Sequence, residues 1–259
     1  MAKKLGILTA ILLSCWGVYS VALQREALEY QRLFNDLASN RKPPSSTEFV
    51  FARFQFTSHG PGRGARGNRA IEGWAHDYPV AEENILQIAS EATGINLNRE
   101  SYVIVRLDSE DVFRYPFALL SEVGEMTLTP PEARNLREYL NRGGFIMVDD
   151  FDGPSLEWFA DQMKMVFPDR DLVPLTVDHP LFHAFYDVKT LDIEPPYPQR
   201  GQPDFYGYLD DHGRVMMILN HNNDMGDFWE WIDESLYPLQ PSIAGLQFGI
   251  NYLMYSLTH

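Results

Sequence analysis

At 259 residues, with 45% hydrophobic and 13% aromatic residues, the chain can bury a sizeable core without help from disulfides or a structural metal. Its formal charge of -15 excludes a nucleic-acid partner, because so acidic a surface repels a polyanion. Its single cysteine, Cys15, falls in an N-terminal targeting segment, which excludes disulfides, thiolate ligands and thiol nucleophiles from the rest.

Residues 1–22 read as a signal peptide. Lys3-Lys4 form a basic start, Leu5 to Leu13 an apolar run, and Ser20-Val21-Ala22 places small residues where a signal peptidase cuts. Export to the periplasm or the medium follows, and an exported chain without disulfides suits a bacterial envelope. Two other readings stay open: an uncleaved membrane anchor, and a lipoprotein acylated at Cys15 within Leu12-Leu13-Ser14-Cys15. Only such an N-terminus would bring the chain to a membrane. Residues 23–48 read as a helix with a weak stripe (Leu28, Leu33, Leu37) and a linker, Arg41-Lys42-Pro43-Pro44-Ser45-Ser46.

Residues 49–259 carry strands alternating with helices, which predicts one α/β domain with a mainly parallel sheet. Phe49–Phe56 is the first strand and contains a buried-looking Arg53, expected to form a structural ion pair with a carboxylate such as Asp149. His59 to Arg69 is rich in glycine and arginine but has neither a P-loop ending nor a dinucleotide fingerprint, so it reads as a surface loop. Asp77-Tyr78-Pro79 opens a helix closed by Gly94, and Tyr102–Leu107 and Phe117–Leu120 are further strands. Thr129-Pro130-Pro131-Glu132 is a capping box with proline in the first turn, and Ala133, Leu136 and Leu140 form the buried stripe of the helix it starts.

Gly143 ends that helix, and Phe145–Val148 is apolar without alternation, as in a strand covered on both faces. Asp149 and Asp150 then stand at the carboxyl edge of the sheet, where open α/β folds place ligands. A helix led by Pro154 follows, then a strand, Leu172–Val177, running into Asp178-His179-Pro180. Phe205–Leu209 and Arg214–Leu219 pair as an antiparallel hairpin, ending in the polar run Asn220 to Asp224. A final helix buries Ile243, Leu246, Ile250, Leu253 and Leu257.

The order of Phe51-Ala52-Arg53, Trp74 with Asp77-Tyr78-Pro79, Tyr115-Pro116-Phe117, Gly143-Gly144-Phe145 with Asp149-Asp150, His179-Pro180-Leu181-Phe182 and Asn223-Asp224 resembles the domain of unknown function 4159 family. The resemblance spans about residues 49 to 258. It implies a class I glutamine amidotransferase-like fold, a flavodoxin-like three-layer α/β/α sandwich, in a bacterial envelope. It implies no activity. Where amidotransferases of this shape carry a cysteine nucleophile, this chain has Asp149-Asp150, so glutamine amidotransferase chemistry is not expected.

Candidate site residues are therefore Asp149, Asp150, His179, Asn223 and Asp224. The aspartates suit a divalent cation or a general base, although loop N–H groups and a helix cap would also use them. His179 reads as a base beside Asp178, or as part of a plain turn. No cofactor is evident beyond such a cation. The favoured function is a non-catalytic module binding an envelope protein or a small ligand. The alternative is a hydrolase or lyase acting on a sugar-like substrate through Asp149, Asp150 and His179. Cleavage after Ala22 predicts that the exported protein begins at Leu23; N-terminal sequencing tests this, and a chain still beginning at Met1 contradicts it.

Overall fold

A computed structural model of the chain describes residues 28–29, 31–37, 48–59, 73–234 and 236–259. The chain divides into two compact units, Met1–Arg41 and Lys42–His259. In the first, residues 31–37 are helical, in keeping with the weak stripe. The targeting segment, the proline-serine linker and most of the glycine-arginine stretch lie outside the described residues.

The second unit holds seven strands: β1 (Phe51–Gln55), β2 (Tyr102–Arg106), β3 (Phe117–Ser121), β4 (Phe145–Phe151), β5 (Val173–Pro174), β6 (Asp204–Leu209) and β7 (Val215–His221). They form one sheet in the order β2-β1-β3-β4-β7-β6-β5. The strands from β2 to β7 in this order run parallel, while β6 and then β5 add antiparallel pairs at the edge. The parallel part has the serial order of doubly wound flavodoxin-like sheets. Its central strands are apolar on both sides, as the continuous hydrophobic run of β4 requires. The edge hairpin closes through Gly213, at φ +84°, with Asp210 accepting hydrogen bonds from the His212 and Arg214 N–H groups.

Helices cover both faces. Arg53 on β1 reaches Glu82 of α1 (Val80–Ala92), whereas the next residue, Phe54, meets Tyr139 of α2 (Pro130–Asn141) at 5.1 Å. Successive strand residues thus mark the two layers. α3 (Ser155–Met163) follows on the α2 side, and the loop after it is tied to α2 through Arg137 and the Met165 carbonyl. The opposite layer continues with α4 (Met225–Glu230) and α5 (Leu239–Thr258). The expected capping box is present: the Thr129 N–H and hydroxyl both reach Glu132 Oε2 at 2.7 Å.

Two elements differ from expectation, and so does the partner of Arg53. The Leu172–Val177 strand is only Val173–Pro174, paired with β6 at the far edge rather than lying beside β4. Pro174 has no N–H to extend a ladder, which confines the segment to an edge. In α5, Ile243 and Leu257 are exposed, and the inner seam instead includes Gly245, Phe248, Gly249 and Tyr252. A Cβ on Gly245 would sit 2.8 Å from Phe228, and one on Gly249 would sit 2.5 Å from Trp229, so the glycines set how closely the helix approaches α4.

Arg53 is 1% exposed and pairs with a fully buried Glu82, not with Asp149. Its other donors hold the carbonyls of Trp74 at 3.1 Å and His76 at 2.6 Å. Arg53→Met would leave Glu82 as an unpaired buried charge and should destabilise the fold by about 3–5 kcal/mol. The Arg53→Met/Glu82→Leu pair should recover much of that loss. Urea unfolding tests both, and a single variant as stable as wild type contradicts the assignment.

Candidate functional site

The carboxyl edge of the sheet is built from turns that change side-chain direction. The β4–β7 register shifts between Val148 and Phe151, and Asp150 has φ +55°. A left-handed residue breaks the strand's alternation, so the adjacent carboxylates of Asp149 and Asp150 both stay at the edge. Asp149 turns beneath α4, accepting from Asn220 Nδ2 at 2.9 Å and the Gly226 N–H at 2.8 Å. Asp150 turns the other way, with Oδ2 2.6 Å from His76 Nδ1 and Oδ1 accepting from the Tyr197 hydroxyl at 3.1 Å. Asp77, Glu122 and Asn222 are also left-handed, at φ +63°, +52° and +55°. Such conformations are uncommon without glycine, and here they fall in the turns at the carboxyl edge of the sheet.

Three further segments converge there. A 3-10 turn, Gly73–Ala75, leads into His76 and Asp77, and Arg53 grips this backbone from below. Asp224 caps α4 by accepting from the Asp227 N–H at 2.8 Å, while its other oxygen meets the Tyr197 hydroxyl at 3.0 Å. Gly226 makes room for Asp77: a Cβ at that position would lie 2.5 Å from Asp77 Oδ2. As a result, one donor atom each from His76, Asp77, Asp150 and Asp224 lies within 4.8 Å of the others. Asp77 forms a second such group with Asp227 and Glu230. Asp150 and Asp224 are buried, but the His76 side chain is 37% exposed and Tyr197 39%, so the cluster opens at these two residues.

Burial and mutual repulsion set the protonation of this cluster. Asp224 is held well above the ordinary carboxylate range by burial, and next by the charge of Asp150. Burial likewise raises Asp77, against the opposing pull of His76. Burial acts to raise Asp150 too, but the charge and hydrogen bond of His76, with bonds from Asp224 and Tyr197, hold it below the usual value. His76 is raised well above an ordinary histidine, first by Asp77, with burial opposing and Asp150 assisting. Protonated Asp224 can donate to Tyr197 and Tyr197 to Asp150, which gives the single hydroxyl a consistent role between two acids.

The structure brings Asp149, Asp150, Asn223 and Asp224 to one edge, Asn223 accepting from the Asp224 N–H at 2.9 Å through its own side chain. His179 is elsewhere. Its ring lies 6.2 Å from that of Tyr255, whose hydroxyl accepts from the N–H of Val215, the first residue of β7. That is the amino-terminal side of the sheet, away from Asp150. His179 accepts from the Leu181 N–H and shapes a turn. The strand expected to deliver it to the carboxyl edge is the two-residue β5. Sequence reasoning missed His76, Asp77 and Tyr197 as site residues: the first two lie where Asp77-Tyr78-Pro79 was read only as a helix opener, and the third lies in a proline-rich loop without periodicity.

The chain belongs to the domain-of-unknown-function family DUF4159, whose family model matches residues 66–257. No curated protein matches the chain. The matched span includes His76, Asp77, Asp149, Asp150, Tyr197 and Asp224.

Asp149 has its own pH signature. Burial pushes it up to about 7, in spite of the bonds from Asn220 and Gly226. An unfolded aspartate loses its proton near pH 4. Between those values the folded chain binds the extra proton, so stability falls as pH rises through this window. Asp149→Asn cannot titrate, so the wild type should lose stability relative to it by on the order of a few kcal/mol between about pH 4 and pH 8. Urea midpoints at the two ends of the window measure this, and parallel pH profiles contradict it.

Proposed function

We propose that this edge binds a hard divalent cation through His76, Asp77, Asp150 and Asp224, and that the chain is a cation-dependent binding module. The observation that carries the reading is the convergence of those four donor atoms within 4.8 Å at a site open on one side. Three carboxylates and an imidazole suit magnesium, manganese or calcium better than a soft metal. Four protein ligands would leave positions in an octahedral shell for a group entering beside His76 and Tyr197. An oxygen-bearing group of a small molecule, or a carboxylate of a partner protein, would complete it. The signal-like N-terminus supports an envelope setting for this binding.

A second reading is cation-assisted hydrolysis, because an open position can also hold and acidify a water. His76 favours it, because its half-buried imidazolium, oriented by Asp150 at 2.6 Å, suits a general acid for the leaving group. Ligand binding without turnover of sugar esters or glycosides separates the module from the hydrolase.

Manganese ions titrated into chelator-treated protein should bind at one site per chain by calorimetry. Asp150→Asn and Asp224→Asn should each weaken binding by at least about tenfold, a loss of roughly 1.4 kcal/mol, while the variants stay folded. Binding should also weaken toward about pH 5, because the raised His76 and Asp224 must release protons to the solvent before they can ligate. Absence of saturable heat, or an Asp150→Asn variant that binds as wild type does, overturns the proposal.

A further inference from the structure

A groove of about 580 Å³ runs beside α2, with Ala133 in its floor and Phe113 and Met165 on its sides. A second cavity of about 250 Å³ reaches the Gly143-Gly144 turn that follows the helix. Both are lined by Phe113 and Arg142, and the Arg142 guanidinium stacks 4.4 Å from the Phe113 ring. The two hollows therefore flank one cation–π pair and form a trough along the α2 layer.

The trough is basic, whereas the chain as a whole is strongly acidic. Arg134 and Arg137 line its larger part and Arg114 its smaller part. Arg134 is exposed and makes no hydrogen bond or ion pair among the described residues. Arg137 donates to the Val166 and Met165 carbonyls, neutral acceptors that leave its charge uncompensated. Arg142 pairs with Glu138, and Arg114 pairs more loosely with Asp111 at 3.4 Å. Between them Phe113 is half-buried and Met165 is 44% exposed, giving apolar contact beside forked donors.

We infer that this trough docks an acidic, partly apolar peptide segment of a partner protein. Planar guanidinium groups match carboxylates in pairs, and the exposed Arg134 gives such a segment its first contact. Alternating side chains of an extended peptide would present acids to Arg134 and Arg142 and apolar groups to Phe113 and Met165. A concave trough of this kind favours a chain segment over a flat lipid surface. The site is independent of the carboxyl-edge cluster, since Gly143-Gly144 and the start of β4 mark the other end of the sheet.

The probe is a fluorescein-labelled decapeptide alternating glutamate and leucine, with a lysine–leucine peptide as control. Anisotropy titrated with the full chain should saturate for the first peptide only, and the affinity should fall as salt rises. Arg134→Glu should weaken it by at least about tenfold with unchanged melting temperature, and Arg142→Glu should act in the same direction. Lack of saturation with the acidic peptide overturns the inference, as does equal binding by Arg134→Glu. Retention on phosphatidylglycerol vesicles that Arg134→Glu abolishes and the peptide does not compete would assign the trough to membranes instead. A dimer lost in Arg134→Glu would assign it to a second copy of the chain.

Discussion

The constraint behind this structure is the crowding of buried carboxylates at one edge of its sheet. Two like charges 4.8 Å apart repel by roughly 3–4 kcal/mol at an effective dielectric of about 20, and the cluster holds several such pairs. Three devices can offset this: protons, an opposing side chain, or a bound cation. Without a cation the cluster uses the first two. Asp224 and Asp77 are pushed toward their neutral forms, and His76 is kept charged against Asp150. A divalent ion would replace the proton held between His76 and Asp150 and draw the remaining acids into ionised form.

The framework underneath makes that arrangement rigid. Arg53 is buried within β1, and its ion pair with Glu82 fixes α1 against the sheet. The same guanidinium holds the backbone of Trp74 and His76, so the histidine is placed by a core residue and not by a loop alone. On the other side, Asp149 fastens the start of α4 through Gly226, and Tyr252 of α5 steadies Asn220 at 2.9 Å. The acids that face the opening therefore rest on a layer of buried polar bonds, which lets a first shell keep its geometry. The left-handed turns at Asp77, Asp150 and Asn222 are best tolerated by short polar side chains; the first two bring carboxylates to the cluster, while Asn222 ties the Gly153 N–H to the Gln202 carbonyl.

Much of the fold could be read from residue order because its signals are local. Thr129 to Glu132 announces a helix start, Gly143 a helix end, and Phe145–Val148 a strand covered on both faces. The carboxyl-edge position of Asp149 and Asp150 followed from those three signals. Residues 172–177 misled because apolar, β-branched content suggests a strand, while Pro174 limits its pairing to two residues at the sheet margin. His179 was drawn into the site by that mistaken strand. His76 and Tyr197 were hidden for a different reason: they come from irregular segments, and their meeting with Asp150 depends on tertiary packing that no periodicity encodes. Arg53 was legible as a buried charge, but its partner Glu82 lies on a helix whose first turn is buried on all sides, which an amphipathic reading does not anticipate.

A coordination shell and a mere set of costly acids differ in what a divalent cation does at the cluster. Anomalous diffraction from crystals of the full chain grown with manganese separates the two. The proposed cation site predicts one strong peak among His76, Asp77, Asp150 and Asp224, at roughly 2.0–2.6 Å from their donor atoms. Density that shows His76 still hydrogen-bonded to Asp150, with no anomalous signal between the four side chains, would contradict it.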